Sequence, residues 1–221
     1  MVTFSDGSTI AYTYGADGTK LKTVHKTGST TTTTDYCGNV VYENGVQKLL
    51  LTDEGYVTLS DNKYHYYLKD HQGNNRVVIN QSGTVEETNH YYPFGGVFAS
   101  AGNVQPYKYN GKEYDGKKGL NWYDYGARMY DAALGRFMTV DPLAEKYYPM
   151  SPYGYCLNNP IKFIDADGRL PRIYIERKGF GHAFVTVGNG DNTIVYTYGR
   201  YGELGKDKSS ARNTSPTGEG V

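Results

Sequence analysis

Four residues between Leu120 and Arg169 carry groups that could do chemistry: Arg128, Asp141 and the close pair Asp165 and Asp167. Arginine and aspartate near strand ends are most often satisfied by turn backbones or surface ion pairs. The sharper reading is acid–base work by the carboxylates beside a fixed positive charge, a role that perturbed carboxylates signal only in probability. Further along, Gly181-His182 opens an apolar run, and a histidine base needs a nucleophile within reach. No cysteine follows His182, so a satisfied structural histidine is the commoner reading. Cys37 and Cys156, the chain's 2 cysteines, form no metal-ligand spacing and no disulfide framework, although a single bond stays open. Nothing in these residues asks for a metal or a cofactor.

The elements that must position these groups read as strands. Of 221 residues, 24 are Tyr and 28 are Gly, against 7 Phe and 1 Trp, so a core must rest on amphipathic aromatics and the chain must turn often. This composition argues for a β protein and against a helical bundle. Short β-type runs bounded by Gly, Asn or Asp recur at 8–24, 38–51, 55–70 and 73–95. Asp17-Gly18 and Asn44-Gly45 are dipeptides suited to hairpin turns. Strands at roughly 8–12-residue intervals, in a unit of roughly 20 residues, point to a sandwich, barrel or repeat array whose units need neighbours. The threonine tract 30–34 is an exposed strand or a loop. Within the Leu120–Arg169 stretch, Tyr123, Tyr125, Met129, Tyr130 and Phe137 are spaced for short strands, with tight turns at Gly126 and Gly135.

Formal net charge is zero, with 23 basic and 23 acidic residues, which leaves no overall electrostatic footprint for nucleic acid or an anionic membrane. No apolar run is long enough to span a bilayer as a helix. The first residues, MVTFSDGSTIAY, lack the basic start and apolar segment of a secretion signal, which leaves the export route open.

Two groups of motifs carry a family resemblance. YTYGADGTKLKTV and YHYYLKDHQGNNRVVINQSGTVEETNHYYPFG resemble the YD repeats of the Rhs family. Arg128-x-Tyr130-Asp131, Gly135-Arg136-Phe137, Asp141-Pro142, Asn158-Asn159-Pro160 and Asp165-x-Asp167-Gly168 occur in the order of the Rhs-repeat-associated core domain. The pattern is also similar to the C subunits of insecticidal toxin complexes. The resemblance implies a bacterial polymorphic toxin: YD repeats wound into a β-shell around a variable C-terminal effector, with a core that acts as an intramolecular aspartyl protease. By motif, Arg128, Asp141 and one carboxylate of Asp165 and Asp167 would be the autoproteolytic residues. Two adjacent carboxylates cannot both ionise cheaply, so one would hold a proton while the other activates water, and Arg128 would stabilise the developing charge. The cut would fall just after the Asp-x-x-Gly motif, in the region of Gly168, Arg169, Leu170 and Pro171. There the chain departs from the family pattern: Ala166 stands for proline, Arg169 for an apolar residue, and Pro171 lacks a backbone N–H.

The expected organisation is therefore mainly β: an antiparallel YD-repeat strip over 1–119 forming part of a shell, a core domain over 120–170 closing it, and a small β-rich segment over 171–221. Strands are expected at 172–176, 182–187 and 193–198 as one meander, a turn at 188–191 and a disordered tail at 206–221. So short a set of repeats cannot close a shell, and the last segment reads as the start of an effector, so a C-terminal fragment of a longer protein is expected. The implied partners are the chain's own C-terminal segment as cargo, an immunity protein and secretion machinery. The implied location is secreted or cell-surface associated. His182 is faintly similar to the base of permuted papain-like hydrolases. The competing reading is a non-catalytic β-repeat protein of a bacterial cell surface.

Overall fold

The computed structural model describes residues 1–146 and 150–169, and the backbone of three further strands. The chain is mainly β and condenses as two units, Met1–Tyr92 with Val97–Tyr114, and Pro93–Gly96 with the chain from Asp115 onward.

The first unit is one open antiparallel sheet of 11 strands in sequential order. They are β1 (Val2–Thr3), β2 (Thr9–Tyr14), β3 (Lys20–Thr27), β4 (Thr30–Cys37), β5 (Val40–Glu43) and β6 (Val46–Thr52), then β7 (Gly55–Thr58), β8 (Lys63–Lys69), β9 (Asn75–Asn80), β10 (Val85–Tyr91) and β11 (Val97–Ala101). Each strand pairs with the next because the turns allow it. Asn44 and Gly45 both sit in the left-handed region, at φ +51° and +79°, as a two-residue hairpin turn between Glu43 and Val46 requires. The Asp17-Gly18 turn is wider, and the Asp17 carboxylate accepts from the Thr19 amide at 3.0 Å and the Thr19 hydroxyl at 2.7 Å. The threonine tract is strand β4. Pro93 follows the end of β10, and Gly95, at φ +86°, helps to turn the chain back towards β11.

Val41, Leu49, Tyr56 and Val78 form the core of this sheet, with Tyr36, Leu51 and Tyr67 against them. A polar anchor lies in the same unit. The Glu87 carboxylate, fully buried, accepts from Lys108 Nζ at 2.7 Å, the Val104 amide at 2.8 Å and the Asn89 amide group at 2.6 Å. A buried carboxylate is tolerated only when paired and hydrogen-bonded in this way, and here it fastens the segment after β11 to β10.

The second unit follows β12 (Glu113–Asp115). It contains β13 (Trp122–Asp124), β14 (Met129–Asp131) and β15 (Arg136–Phe137), an antiparallel meander turning at Gly126 and Gly135. Tyr123, Tyr125, Tyr130, Phe137 and Tyr155 are buried together, while Met129 is only partly buried. Tyr125 meets Phe137 edge-on at 5.6 Å, and Tyr130 lies 4.3 Å from Tyr155 between ring centres. Each such ring contributes about 1.5–3 kcal/mol through burial. Tyrosine fits because the hydroxyls find partners: Tyr123 donates to the Gly95 carbonyl at 2.9 Å and Tyr130 to the Phe94 carbonyl at 2.8 Å.

Beyond this cluster, β16 (Phe163–Asp165) pairs with β17 (Pro171–Ile173), and β18 (His182–Val187) pairs with β19 (Ile194–Gly199). The strands expected as one three-stranded meander thus belong to two separate pairs. The reason is local: the turn after Asp165 folds the chain straight back, so β17 finds its partner upstream. Residues 174–176, the turn expected at 188–191 and the tail at 206–221 lie outside the described residues.

Candidate functional site: a buried arginine between two carboxylates

Arg128 leads into β14, just after the Gly126 turn, and is only 3% exposed. Its guanidinium lies over the Phe137 ring, 3.6 Å from the centroid, so the floor of the site belongs to the aromatic core. Each nitrogen is committed. Nε donates to the Gly168 carbonyl at 2.6 Å and Nη1 to the Pro152 carbonyl at 3.0 Å. Nη2 faces Asp141 Oδ2 at 2.8 Å and Asp165 Oδ2 at 3.4 Å.

The two carboxylates reach this nitrogen by the same device. Asp141 spends Oδ1 on its own turn, accepting from the Leu143 amide at 2.8 Å, and turns Oδ2 to Arg128. Its amide donates to the Pro152 carbonyl at 2.9 Å, so one carbonyl holds both partners. Asp165, 0% exposed, accepts on Oδ1 from the amides of Asp167 at 3.2 Å, Gly168 at 2.7 Å and Arg169 at 3.3 Å, and turns Oδ2 to Arg128. One guanidinium thus faces two carboxylates out of bulk water.

Burial pulls the Arg128 guanidinium below its ordinary value, and the charges of Asp141 and Asp165 oppose that pull. Burial likewise pushes the Asp165 carboxyl up, against the Gly168 amide and the Arg128 charge. Nearby, burial pushes the Cys156 thiol up to about 12, which keeps it protonated and unreactive as a nucleophile.

The sequence-derived residues fall out as follows. Arg128, Asp141 and Asp165 meet. Of the two neighbouring aspartates, Asp165 presents its carboxylate to Arg128, while Asp167 takes part through its backbone, its carbonyl accepting from the Ala127 amide at 3.1 Å. Gly168 lies inside the site and Arg169 is exposed. Pro171 opens β17 opposite Asp165, and Leu170 lies outside the described residues. His182 opens β18 opposite Gly199; the structure describes its backbone. Among the described residues no group of histidine, cysteine and carboxylate side chains could hold a metal. Reading the sequence missed Pro152, which acts through its carbonyl, and Phe137 as the surface under the guanidinium. It also missed Tyr155, although its aromatic neighbours signalled a buried cluster.

No protein-family model matches the chain. It is 40% identical over 114 residues to salivary gland surface protein 1 of Aedes aegypti, covering 50% of this chain and 3% of that protein. It is 35% identical over 104 residues to toxin subunit YenC2 of Yersinia entomophaga, covering 44% of this chain and 10% of that protein. Toxin-complex subunits are therefore among its relatives. Among solved structures, a crystal structure of TcdB2-TccC3-Cdc42 superposes with a TM-score of 0.62 at 22% identity, over 76% of this chain and 9% of that one. A Photorhabdus luminescens Tc holotoxin pore gives 0.64 at 22% identity, over 80% and 10%. At that identity the likeness is one of fold. The chain spans about a tenth or less of the length of each of these proteins.

Proposed function

We propose that this chain is the repeat-and-core part of an Rhs-type polymorphic toxin, of the kind seen in toxin-complex C subunits. Its repeats (1–119) form part of a shell around a C-terminal effector segment (171–221). Its core (120–170) cuts that segment free within residues 168–171. The cargo is the chain's own C-terminal part. An immunity protein and a secretion route are the further partners, and the protein acts outside the cell that makes it.

The observation that carries this reading is the convergence of Asp141, Asp165 and the Gly168 carbonyl on Arg128. A carbonyl held by a guanidinium and flanked by carboxylates is polarised for attack by water, and the site tethers its own substrate. The toxin subunits among the relatives support the setting. A second reading, a surface β-repeat protein without catalysis, is favoured by the likeness to the mosquito surface protein. One experiment separates them. The chain is expressed with enough upstream repeats to fold, and the products are resolved by gel electrophoresis. The toxin reading expects a fragment separating near residue 170 that disappears in Asp141→Asn. If the fragment is unchanged in Asp141→Asn, the aspartyl mechanism fails, and if none forms in the parent, the surface reading prevails.

A further inference from the structure

We infer that the buried side chains of Lys108 and Asn89 join in a covalent amide, with Glu87 carrying the protons. This modification lies wholly within the first unit and is independent of the cleavage proposed above.

The three groups meet on one oxygen. Glu87 Oε1 accepts from Lys108 Nζ at 2.7 Å and from Asn89 Nδ2 at 2.6 Å. The two nitrogens are therefore no farther apart than these two contacts laid end to end. Glu87 and Asn89 are each 1% exposed and Lys108 is 5% exposed, so bulk water neither screens the ion pair nor competes for the amide. Burial pushes the Tyr91 hydroxyl up, and the Glu87 charge adds to that push, so the carboxylate stands near a buried aromatic ring. Both partners are held by backbone as well. Asn89 lies on β10, while the Lys108 amide donates to the Lys112 carbonyl at 2.9 Å and its carbonyl accepts from the Asn75 amide at 3.1 Å. Reacting groups fixed in this way need little further ordering.

Asn89 Oδ1 is buried and has no hydrogen-bond partner. A core seldom carries an orphaned amide oxygen without a reason. Here the amide is held by the nitrogen that would leave, since Nδ2 donates to Glu87 and, at 3.4 Å, to the Asn75 carbonyl. Gln105 also reaches Glu87 Oε1, at 3.2 Å, but its own oxygen is tied to the Tyr107 amide at 2.5 Å. Asn89 is thus the closer and less restrained of the two amides.

The reaction needs no co-reactant. Lys108 gives one proton to Glu87, and the neutral Nζ attacks Asn89 Cγ. Glu87 returns that proton to Nδ2, which it already touches, and takes a second from Nζ as the Cγ–Nδ2 bond breaks. The products are a secondary amide from Lys108 Nζ to Asn89 Cγ, one ammonia and a protonated Glu87. The ion pair of the reactant and the neutral products carry the same net charge. The link closes a covalent loop that contains β11 and ties the segment after it to β10.

Trypsin reads this link, because residues 77–108 hold no lysine or arginine before Lys108. The chain is expressed with upstream repeats and digested, and its peptides are sequenced by tandem mass spectrometry. The expected product spans residues 77–112, uncut after Lys108 and lighter than its sequence by one ammonia, with fragment ions that join Asn89 to Lys108. This peptide precedes the proposed cut, so cleaved and uncleaved protein give the same answer. Asn89→Ala should restore cutting after Lys108, and Glu87→Gln should slow linkage by about 10²-fold or more. A parent peptide 77–108 at its full sequence mass overturns the inference, whether or not either variant folds. A link from Lys108 to Gln105 overturns it, as does linkage in Glu87→Gln at the parent's rate. Ammonia lost at Asn110-Gly111 alone would leave Lys108 open to trypsin, and that outcome overturns it too.

Discussion

Replacing Gly168 with alanine puts a methyl group where the structure has backbone. The new Cβ would stand 3.0 Å from the Arg128 nitrogen, 3.0 Å from Tyr125 Cβ and 3.3 Å from the Tyr125 carbonyl oxygen. None of these atoms is the end of a flexible side chain. Tyr125 and Arg128 close the Gly126 turn through a hydrogen bond of 3.1 Å, so neither can retreat without opening the meander. Two costs add. A non-glycine residue in the left-handed region costs about 1–2 kcal/mol, and overpacking a closed site costs about 1–3 kcal/mol more. The expected loss is about 2–5 kcal/mol, read as a lower midpoint in urea unfolding followed by tyrosine fluorescence. Gly83→Ala is the internal control. Gly83 has a similar φ of +80° with nothing within 4 Å of its Cβ position, so only the conformational cost applies, about 1–2 kcal/mol. Equal midpoints for the two variants, or a Gly168→Ala protein as stable as the parent, would refute the claim that the 168–169 peptide is pressed against Arg128.

Two further perturbations probe the rest of the chain. Lys108→Met strands the Glu87 carboxylate in the first unit and should cost about 3–5 kcal/mol, much of it recovered in the Glu87→Gln/Lys108→Met double variant; urea unfolding of the three proteins checks both statements. Cys37 is exposed and Cys156 buried, so a thiol reagent should label one cysteine in the native protein and two in denaturant. With the folded Cys156 thiol at about 12 and an ordinary value of 9.0, the unfolded state alone releases its proton between those limits. Cys156 should therefore lower stability as pH rises through that window, by about 1.4 kcal/mol per pH unit at most, and a Cys156→Ala variant should show a shallower slope between about pH 9 and 10, below the range where the buried Tyr56, Tyr67 and Tyr91, whose hydroxyls burial also pushes up, add their own loss.

Much of the fold is legible in the chain because its strands are bounded by residues with a local reason to turn. Asn44-Gly45 specifies its hairpin by its own φ preference, and Pro93 follows the end of β10. The aromatic core is legible in the same way, since tyrosines at 123, 125 and 130 meet no competing helical period. What escapes the sequence depends on partners distant along the chain. Nothing about Pro152 announces a carbonyl shared by Arg128 and Asp141, because that role belongs to backbone. The sequence around Pro171 shows a strand but not its partner, which is decided by how tightly Asp165 caps its own turn. Cys156, Leu157 and Asn158 lie in succession in the left-handed region, at φ +47°, +53° and +58°, a conformation that no local propensity predicts for the first two. For the site, motif order placed Arg128 among the aspartates, but only the geometry selects Asp165 over Asp167.

The most direct measurement is the intact mass of the protein expressed with its upstream repeats, in the parent, Asp141→Asn and Arg128→Lys forms. Lysine keeps the charge but cannot span the Gly168 carbonyl, the Pro152 carbonyl and two carboxylates at once. The parent should yield two masses that sum to the full chain plus one water, and each variant, folded by circular dichroism, should yield one. A single uncut mass in the parent, or an unchanged pair of fragments in Asp141→Asn, would contradict the view that this arginine-centred site cuts its own chain.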